Sequence, residues 1–255
     1  MTETLNATAL ITGAGQRIGR AIALDLAAHG WAVAIHYRHS RTGAEAVVDE
    51  IRATGGKAAA VHADLELEDD TTRLVAAAAS ALGPIGLLVN NASVFEQDDF
   101  ATASRESWDL HMGVNLRAPF VLSQHFVAAL PPEAEGNIIN IVDERVWRLT
   151  PRFMSYTLSK AGLWTLTQTM AQALAPRVRV NAIGPGPVLP SNRQSTESFA
   201  AQARALPLER NTDLHEICAA IRFILDAPSM TGQMIALDGG QHLSWQTPDV
   251  IGQEE

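Results

Sequence analysis

The sequence predicts an α/β fold: one doubly wound parallel sheet of about seven strands, with helices on both faces. Three observations carry this. Short apolar, β-rich runs alternate with helical patterns from end to end. A glycine-rich turn joins the first strand to the first helix. No low-complexity linker or internal repeat divides the 255 residues. The whole of 1–255 therefore reads as a single domain, long enough for a substantial core.

Strands are expected over 7–11, 31–36, 57–62, 86–90, 137–142, 177–181 and 233–237. Helices are expected over 17–29, 42–53, 69–82, 105–130, 153–174 and 213–225. Strands alternating with helices imply a parallel sheet covered on both sides by right-handed crossovers. The stretch 184–210 differs: it opens Gly-Pro-Gly-Pro after the sixth strand and then runs polar. At the carboxyl edge of a sheet, such a segment reads as a lid over a ligand.

Composition limits the function classes. Twenty-eight acids against 19 bases give a formal charge of -9. No basic stripe is present, which argues against nucleic acid as a partner. An anionic ligand needs local cations in such a field. Cys218 is the only cysteine, so no intrachain disulfide forms, and the eight histidines show no metal spacing. No bound metal is expected. No apolar run reaches membrane-spanning length, and the first strand starts too early to leave room for a signal peptide. The expectation is a soluble, cytoplasmic protein.

The run Thr12-Gly13-Ala14-Gly15-Gln16-Arg17-Ile18-Gly19 lies between the first strand and the first helix. A glycine-rich turn in that setting brings backbone N–H groups close to a pyrophosphate. Arg17 adds a cation to the turn. The second strand ends in His36-Tyr37-Arg38-His39-Ser40-Arg41, with no acid before Glu45. An acid there pairs with the free ribose hydroxyl of NAD. Arg38 and Ser40 instead suit the 2′-phosphate of NADPH. Asp64 and Leu65 follow the third strand, and Asn91, Ala92 and Ser93 follow the fourth. Both sets fall where such sheets bind ligands, with Asp64 able to accept from an adenine amino group. Tyr156 and Lys160 stand four apart on a helical pattern and share a face. A cation beside a tyrosine favours its ionised form and makes it a usable acid.

With these residues the chain resembles the short-chain dehydrogenase/reductase family over essentially its whole length. The matching elements are the first turn, Asn90-Asn91-Ala92, Asn115, Tyr156 with Lys160, Pro185-Gly186 and Leu237-Asp238-Gly239-Gly240. The resemblance implies a Rossmann-type fold with Tyr156 as proton donor. It implies that Lys160 binds the nicotinamide ribose and lowers the tyrosine pKa, and that Asn115 holds a relay water. Pro185, Gly186 and Val188 would face the cofactor; the family's threonine after Pro185-Gly186 is replaced by Val188 and Leu189. It further implies a homotetramer on the long helices, with 241–255 reaching a neighbour's pocket.

Two departures narrow the resemblance. Thirteen residues before the tyrosine the family usually has serine; here it is Asp143. An ionised aspartate accepts hydrogen bonds and repels a developing oxyanion, so ketone reduction fits poorly. The other departure is Arg17. Arg17, Asp143 and Asn91-Ala92-Ser93-Val94-Phe95 together resemble the pteridine reductases and the bacterial dihydromonapterin/dihydrofolate reductases of the family. That branch implies Phe95 stacking on a pterin, Ser93 hydrogen-bonding pterin or cofactor, Arg17 contacting pterin and phosphate, and Asp143 pairing with Tyr156 to assist protonation. The alternatives are Phe95 as core, Arg17 as a surface cation, and Asp143 as an ion-pair partner of Arg145 or Arg148. Glu144, Arg145, Trp147 and Arg148 lie in the substrate-loop region without assigned roles. The leading expectation is an NADPH-dependent pterin reductase. Its rivals are a generic carbonyl or 3-oxoacyl reductase and a non-catalytic NADP-binding sensor.

Overall fold

The seven strands are β1 (Thr8–Ile11), β2 (Ala32–Tyr37), β3 (Ala58–His62), β4 (Leu87–Asn90), β5 (Gly136–Ile141), β6 (Val178–Pro185) and β7 (Met234–Leu237). In the computed structural model, which describes residues 7–190 and 194–245, they form one parallel sheet in the order β3-β2-β1-β4-β5-β6-β7. β1 sits near the middle, with Ile11 in register with Ile35 on one side and Val89 on the other. Successive strand side chains point to opposite faces. Ala9, Ile11, Val33 and Ile35 enter one buried layer, and Leu10, Ala34 and Leu88 enter the other.

Helices α1 (Arg17–Ala28), α2 (Arg41–Ala53) and α8 (Leu214–Asp226) cover the first layer with Ile22, Leu26, Val47, Ile51, Ile217 and Ile221. α3 (Glu68–Leu82), α5 (Ala118–Ala129) and α6 (Met154–Leu174) cover the second with Leu74, Leu122, Phe126 and Met170. α4 (Arg105–Met112) opens on a Ser104 capping box. The helix expected over 105–130 is not uniform. A π-helical turn, Gly113–Arg117, separates α4 from α5 and carries Asn115. Wide turns of this kind are frequent at functional sites.

The carboxyl edge also differs from expectation. β6 runs to Pro185, so the first two residues of the expected lid are sheet. Beyond it, α7 (Thr196–Arg204) makes the 184–210 stretch partly helical. Residues 191–193 of that stretch, and 246–255 of the expected tail, lie outside the described residues.

A buried polar chain ties the sheet to α6. Asn90 Nδ2 donates to Asn140 Oδ1 at 2.8 Å, and Asn140 Nδ2 donates to Thr167 Oγ1 at 2.8 Å. Asn140 and Thr167 are wholly buried, so removing the middle group strands donors and acceptors away from water. Asn140→Ala is expected to destabilise by about 1–3 kcal/mol. Urea unfolding should show a lower midpoint at unchanged slope.

Candidate active site

The turn after β1 is fixed from both sides. Thr12 Oγ1 accepts from Asn91 N and Ala92 N, each at 2.9 Å, and Asn91 Nδ2 donates to Thr12 O at 2.8 Å. His36 on β2 supports the other flank: Gly13 N donates to His36 Nδ1 at 3.0 Å, and Nε2 lies 3.1 Å from Ala63 O. The accepting Nδ1 places the proton on Nε2. Gly13 takes a φ of +64°. At Gly19 a Cβ would lie 2.4 Å from Gly13 O. Gly43 on α2, which the sequence reading passed over, is needed equally. A Cβ there would lie 2.8 Å from Gly15 O. α1 has no side-chain cap and no acid in its first turn, so its leading N–H groups are left for an anion.

A cavity of about 430 Å³ opens over this turn. It gathers Gly13, Gly15, Arg17, Ile18, Gly19, Tyr37, Arg38, His39, Ser40, Asp64, Leu65, Asn91, Ala92 and Ser93. These are fourteen of the expected cofactor contacts, drawn from four strand ends. Gln16, His36, Val94 and Val114 join them. Pyrophosphate-binding backbone, an arginine at the ribose end and an acid beyond β3 fit a dinucleotide carrying a 2′-phosphate.

The cations are partnered differently from expectation. Arg38 Nε lies 3.0 Å from Asp64 Oδ2, and its Nη1 pairs with Glu66. Asp64 Oδ1 also accepts from Glu66 N at 3.0 Å. The carboxylate expected to accept from adenine thus holds the arginine expected at the 2′-phosphate. Arg17 adopts φ +53°, a left-handed conformation costing a non-glycine residue about 1–2 kcal/mol. Its guanidinium donates to Pro190 O at 3.0 Å and Leu189 O at 3.1 Å. It therefore reaches the expected lid, tying it to the glycine turn.

The chemical centre is built where β5 and β6 end and α6 begins. Tyr156 OH donates to Asp143 Oδ2 at 2.7 Å. Asp143 Oδ1 accepts from Arg145 N at 2.9 Å, with Arg145 Nε at 3.8 Å. Lys160 Nζ donates to Ile141 O at 2.8 Å and stands 5.8 Å from the Tyr156 ring centre. The expected lowering of the tyrosine pKa is corrected by this arrangement. Burial, and then the Asp143 charge, push the Tyr156 phenol well above its ordinary value, and Arg145 pulls the other way. Burial lowers Lys160 to about 8. Glu144 is 4% exposed, and its Oε2 has no hydrogen-bond partner. Burial, with Asp143 beside it, raises its carboxyl to about 7.

Asn115 is filled by protein. Its Oδ1 accepts from Val94 N at 2.8 Å and Ser93 Oγ at 3.2 Å. Its Nδ2 donates to Val94 O at 2.9 Å and Ser159 Oγ at 3.1 Å. The side chain joins the loop after β4 to α6 and has no capacity left for the implied relay water. Phe95 stacks on Phe153 at 4.4 Å and meets the Tyr156 ring edge-on at 4.6 Å. Phe153, also missed from sequence, caps α6 at φ +57°. Asp98 and His111 hold the start of that helix through Ser155, whose Oγ lies 2.7 Å from His111 Nδ1 and donates to Asp98. Pro185, Gly186 and Val188 lie at and just beyond the end of β6. A Cβ on Gly186 would meet Asp238 Cα at 2.7 Å, and Val188 packs on the first core layer. Among the described residues no group of His, Cys, Asp or Glu could hold a metal ion, and no helix is long and apolar enough to cross a membrane.

The enoyl-(acyl carrier protein) reductase family model matches residues 13–242. The chain belongs to the short-chain dehydrogenase/reductase family. It is 35% identical over 246 residues to a 3-oxoacyl-[acyl-carrier-protein] reductase of Synechocystis, covering 94% of this chain and 98% of that one. Two solved short-chain reductases are more similar. One is FolM alternative dihydrofolate reductase 1 of Brucella suis, in complex with NADP. It is 51% identical with a TM-score of 0.94, covering 96% of this chain and 98% of that one. The Brucella canis counterpart, also complexed with NADP, is 50% identical with a TM-score of 0.95, covering 98% and 99%.

The support from His36 gives this short-chain reductase a testable pH dependence. Burial lowers the imidazole from 6.5 to about 4. Between those values the unfolded chain binds a proton that the folded chain refuses. The His36 contribution is complete above about pH 6.5 and is lost as pH falls towards about 4. Relative to His36→Gln, the native chain should lose about 2 kcal/mol of unfolding free energy between about pH 7 and about pH 5. Urea melts at both pH values measure it.

Proposed function

We propose that this chain is an NADPH-dependent reductase of a pterin: a dihydropterin, dihydromonapterin or dihydrofolate. The observation that carries the reading is the 2.7 Å hydrogen bond from Tyr156 OH to Asp143. Where the family usually keeps a hydroxyl donor for a substrate oxygen, this chain keeps a carboxylate. A carboxylate repels a developing alkoxide but accepts from the N–H groups of a nitrogen heterocycle. The Brucella proteins named as alternative dihydrofolate reductases, about half identical throughout, support it.

The residues divide the work. The α1 N-terminus and the glycine turn would hold the pyrophosphate, and Arg38, here paired with Asp64 and Glu66, would hold the 2′-phosphate. NADPH, when bound, would supply a hydride for a ring carbon of the substrate. Tyr156, held protonated by burial and Asp143, gives its proton to the adjacent ring nitrogen. Lys160 offsets the charge that develops on the phenol oxygen as the proton leaves. Phe95 offers an aromatic face for a flat heterocycle, and Ser93 a polar group beside it. Asn115 acts as a positioning residue. The same reading carries a homotetramer, supported by apolar groups left exposed on α4 and α6, Trp108 and Leu158. The second reading, a 3-oxoacyl or carbonyl reductase, is favoured by the Synechocystis relative.

NADPH oxidation by the pure protein with dihydrobiopterin, dihydromonapterin and dihydrofolate tests the proposal. Turnover of at least one is expected; turnover of a ketone or 3-oxoacyl thioester alone would sink it. Tyr156→Phe should lower kcat by about 10²–10⁴-fold with NADPH binding unchanged. Asp143→Ser should weaken pterin turnover and improve ketone turnover. Improvement on every accepted substrate would favour the second reading.

A further inference from the structure

Arg145 lies two residues past Asp143, on the 3-10 turn Glu144–Val146. Its guanidinium carbon is 5.3 Å from the Phe95 ring centre and 4.8 Å from that of Phe153. The two rings are themselves 4.4 Å apart. Three nearly equal sides put the guanidinium beside the stack, over the margins of both rings. Its Nε approaches Asp143 Oδ1 only to 3.8 Å, beyond hydrogen-bond distance. Its Nη1 is buried and has no hydrogen-bond partner.

That last fact is energetically costly. A buried donor left unpaired costs about 1–3 kcal/mol, and more on a charged group. Nothing among the described residues relieves it. The side chain is held in place by its ring contacts and by attraction to Asp143. Its planar, always-charged fork is suited to directional donation. Asp143 and Arg145 therefore set an acceptor and a donor side by side at the aromatic pair, where a flat polar ring would lie.

We propose that Arg145 is a specificity-determining residue, whose Nη1 donates to an acceptor oxygen in the plane of the bound heterocycle: the ring carbonyl of a 4-oxo pterin. The inference rests on the pterin-reductase reading. It assigns Arg145 the recognition of substrate oxygen, and leaves proton delivery to Tyr156. A 4-amino ring presents a donor where the carbonyl was an acceptor, so it gains nothing from Arg145.

The test compares native enzyme with Arg145→Met, which keeps length and apolar packing but has no donor. The KM for dihydrobiopterin should rise at least about tenfold, with kcat within about threefold and the NADPH Kd unchanged. The inhibition constant of 2,4-diaminopteridine should stay within about threefold of native. A KM that does not move overturns the inference. So does a loss confined to kcat, which would place Arg145 on the tyrosine, or an equal loss for both ring types, which would make it a packing residue. Arg145→Lys keeps a charge beside Asp143 and serves if the methionine variant does not fold. It should raise the KM at least about threefold, because a point charge lacks the planar fork; a native KM overturns the inference. Native protein that turns over no dihydropterin sinks the pterin reading and this inference together. Native turnover with an unaltered KM in the variants sinks the inference alone.

Discussion

The order of strands in the sheet is the constraint on which the rest depends. β1 and β4 are hydrogen-bonded neighbours, yet the chain leaves β1 towards β2 and β3, and leaves β4 towards β5, β6 and β7. Connections that depart in opposite directions leave a crevice above the carboxyl ends of the two middle strands. Every candidate functional group converges there: the glycine turn after β1, the His36–Ser40 run from β2, Asp64 from β3, and the Asn91–Phe95 loop from β4. Asp143 and Tyr156, at the end of β5 and the start of α6, meet this loop through the contact of Phe95 with the Tyr156 ring. Thr12, Asn91 and His36 then fix the crevice walls by hydrogen bonds to backbone.

Charge is managed locally in an acidic protein. Three described arginines are engaged: Arg38 by Asp64 and Glu66, Arg17 by the carbonyls of Leu189 and Pro190, and Arg145 by Asp143 and two aromatic rings. Partial engagement keeps a long cationic side chain oriented without neutralising it through a perfect pair. A phosphate competes with such carboxylates by offering several acceptor oxygens in the same fork geometry. The arrangement reconciles a formal charge of -9 with an anion-binding crevice.

The tyrosine centre follows from burial as much as from its neighbours. Lys160 is 2% exposed and donates to Ile141 O. Burial first, and then the Asp143 charge, keep the Tyr156 phenol protonated. A phenol raised in this way keeps its proton at neutral pH. Glu144, raised to about 7 just behind it, adds a second group whose charge depends on neutral-range pH.

The layered fold was legible in the sequence because apolar periodicity reports burial on one or two faces, residue by residue. The glycine turn, the fourteen cavity residues and the Tyr156–Lys160 spacing were legible because backbone geometry and chemistry admit few residue types there; the pairing of Asp143 with Tyr156 was implied only by the family resemblance. The π turn at Asn115 and the extension of β6 to Pro185 were not, since both depend on hydrogen bonds to neighbouring elements. His36, Gly43, Phe153 and the Asp98–Ser155–His111 group were missed for the same reason: each acts through a partner distant in sequence or through a strained φ. The sequence by itself determined which groups exist and near which strand end each falls. Only the tertiary structure decided their partners: Arg38 with Asp64, Arg17 with the carbonyls of Leu189 and Pro190, Arg145 with Asp143 and the aromatic pair. Ion pairing, desolvation and pKa depend on distances of a few ångströms across the sheet edge, and spacing along the chain does not encode those distances.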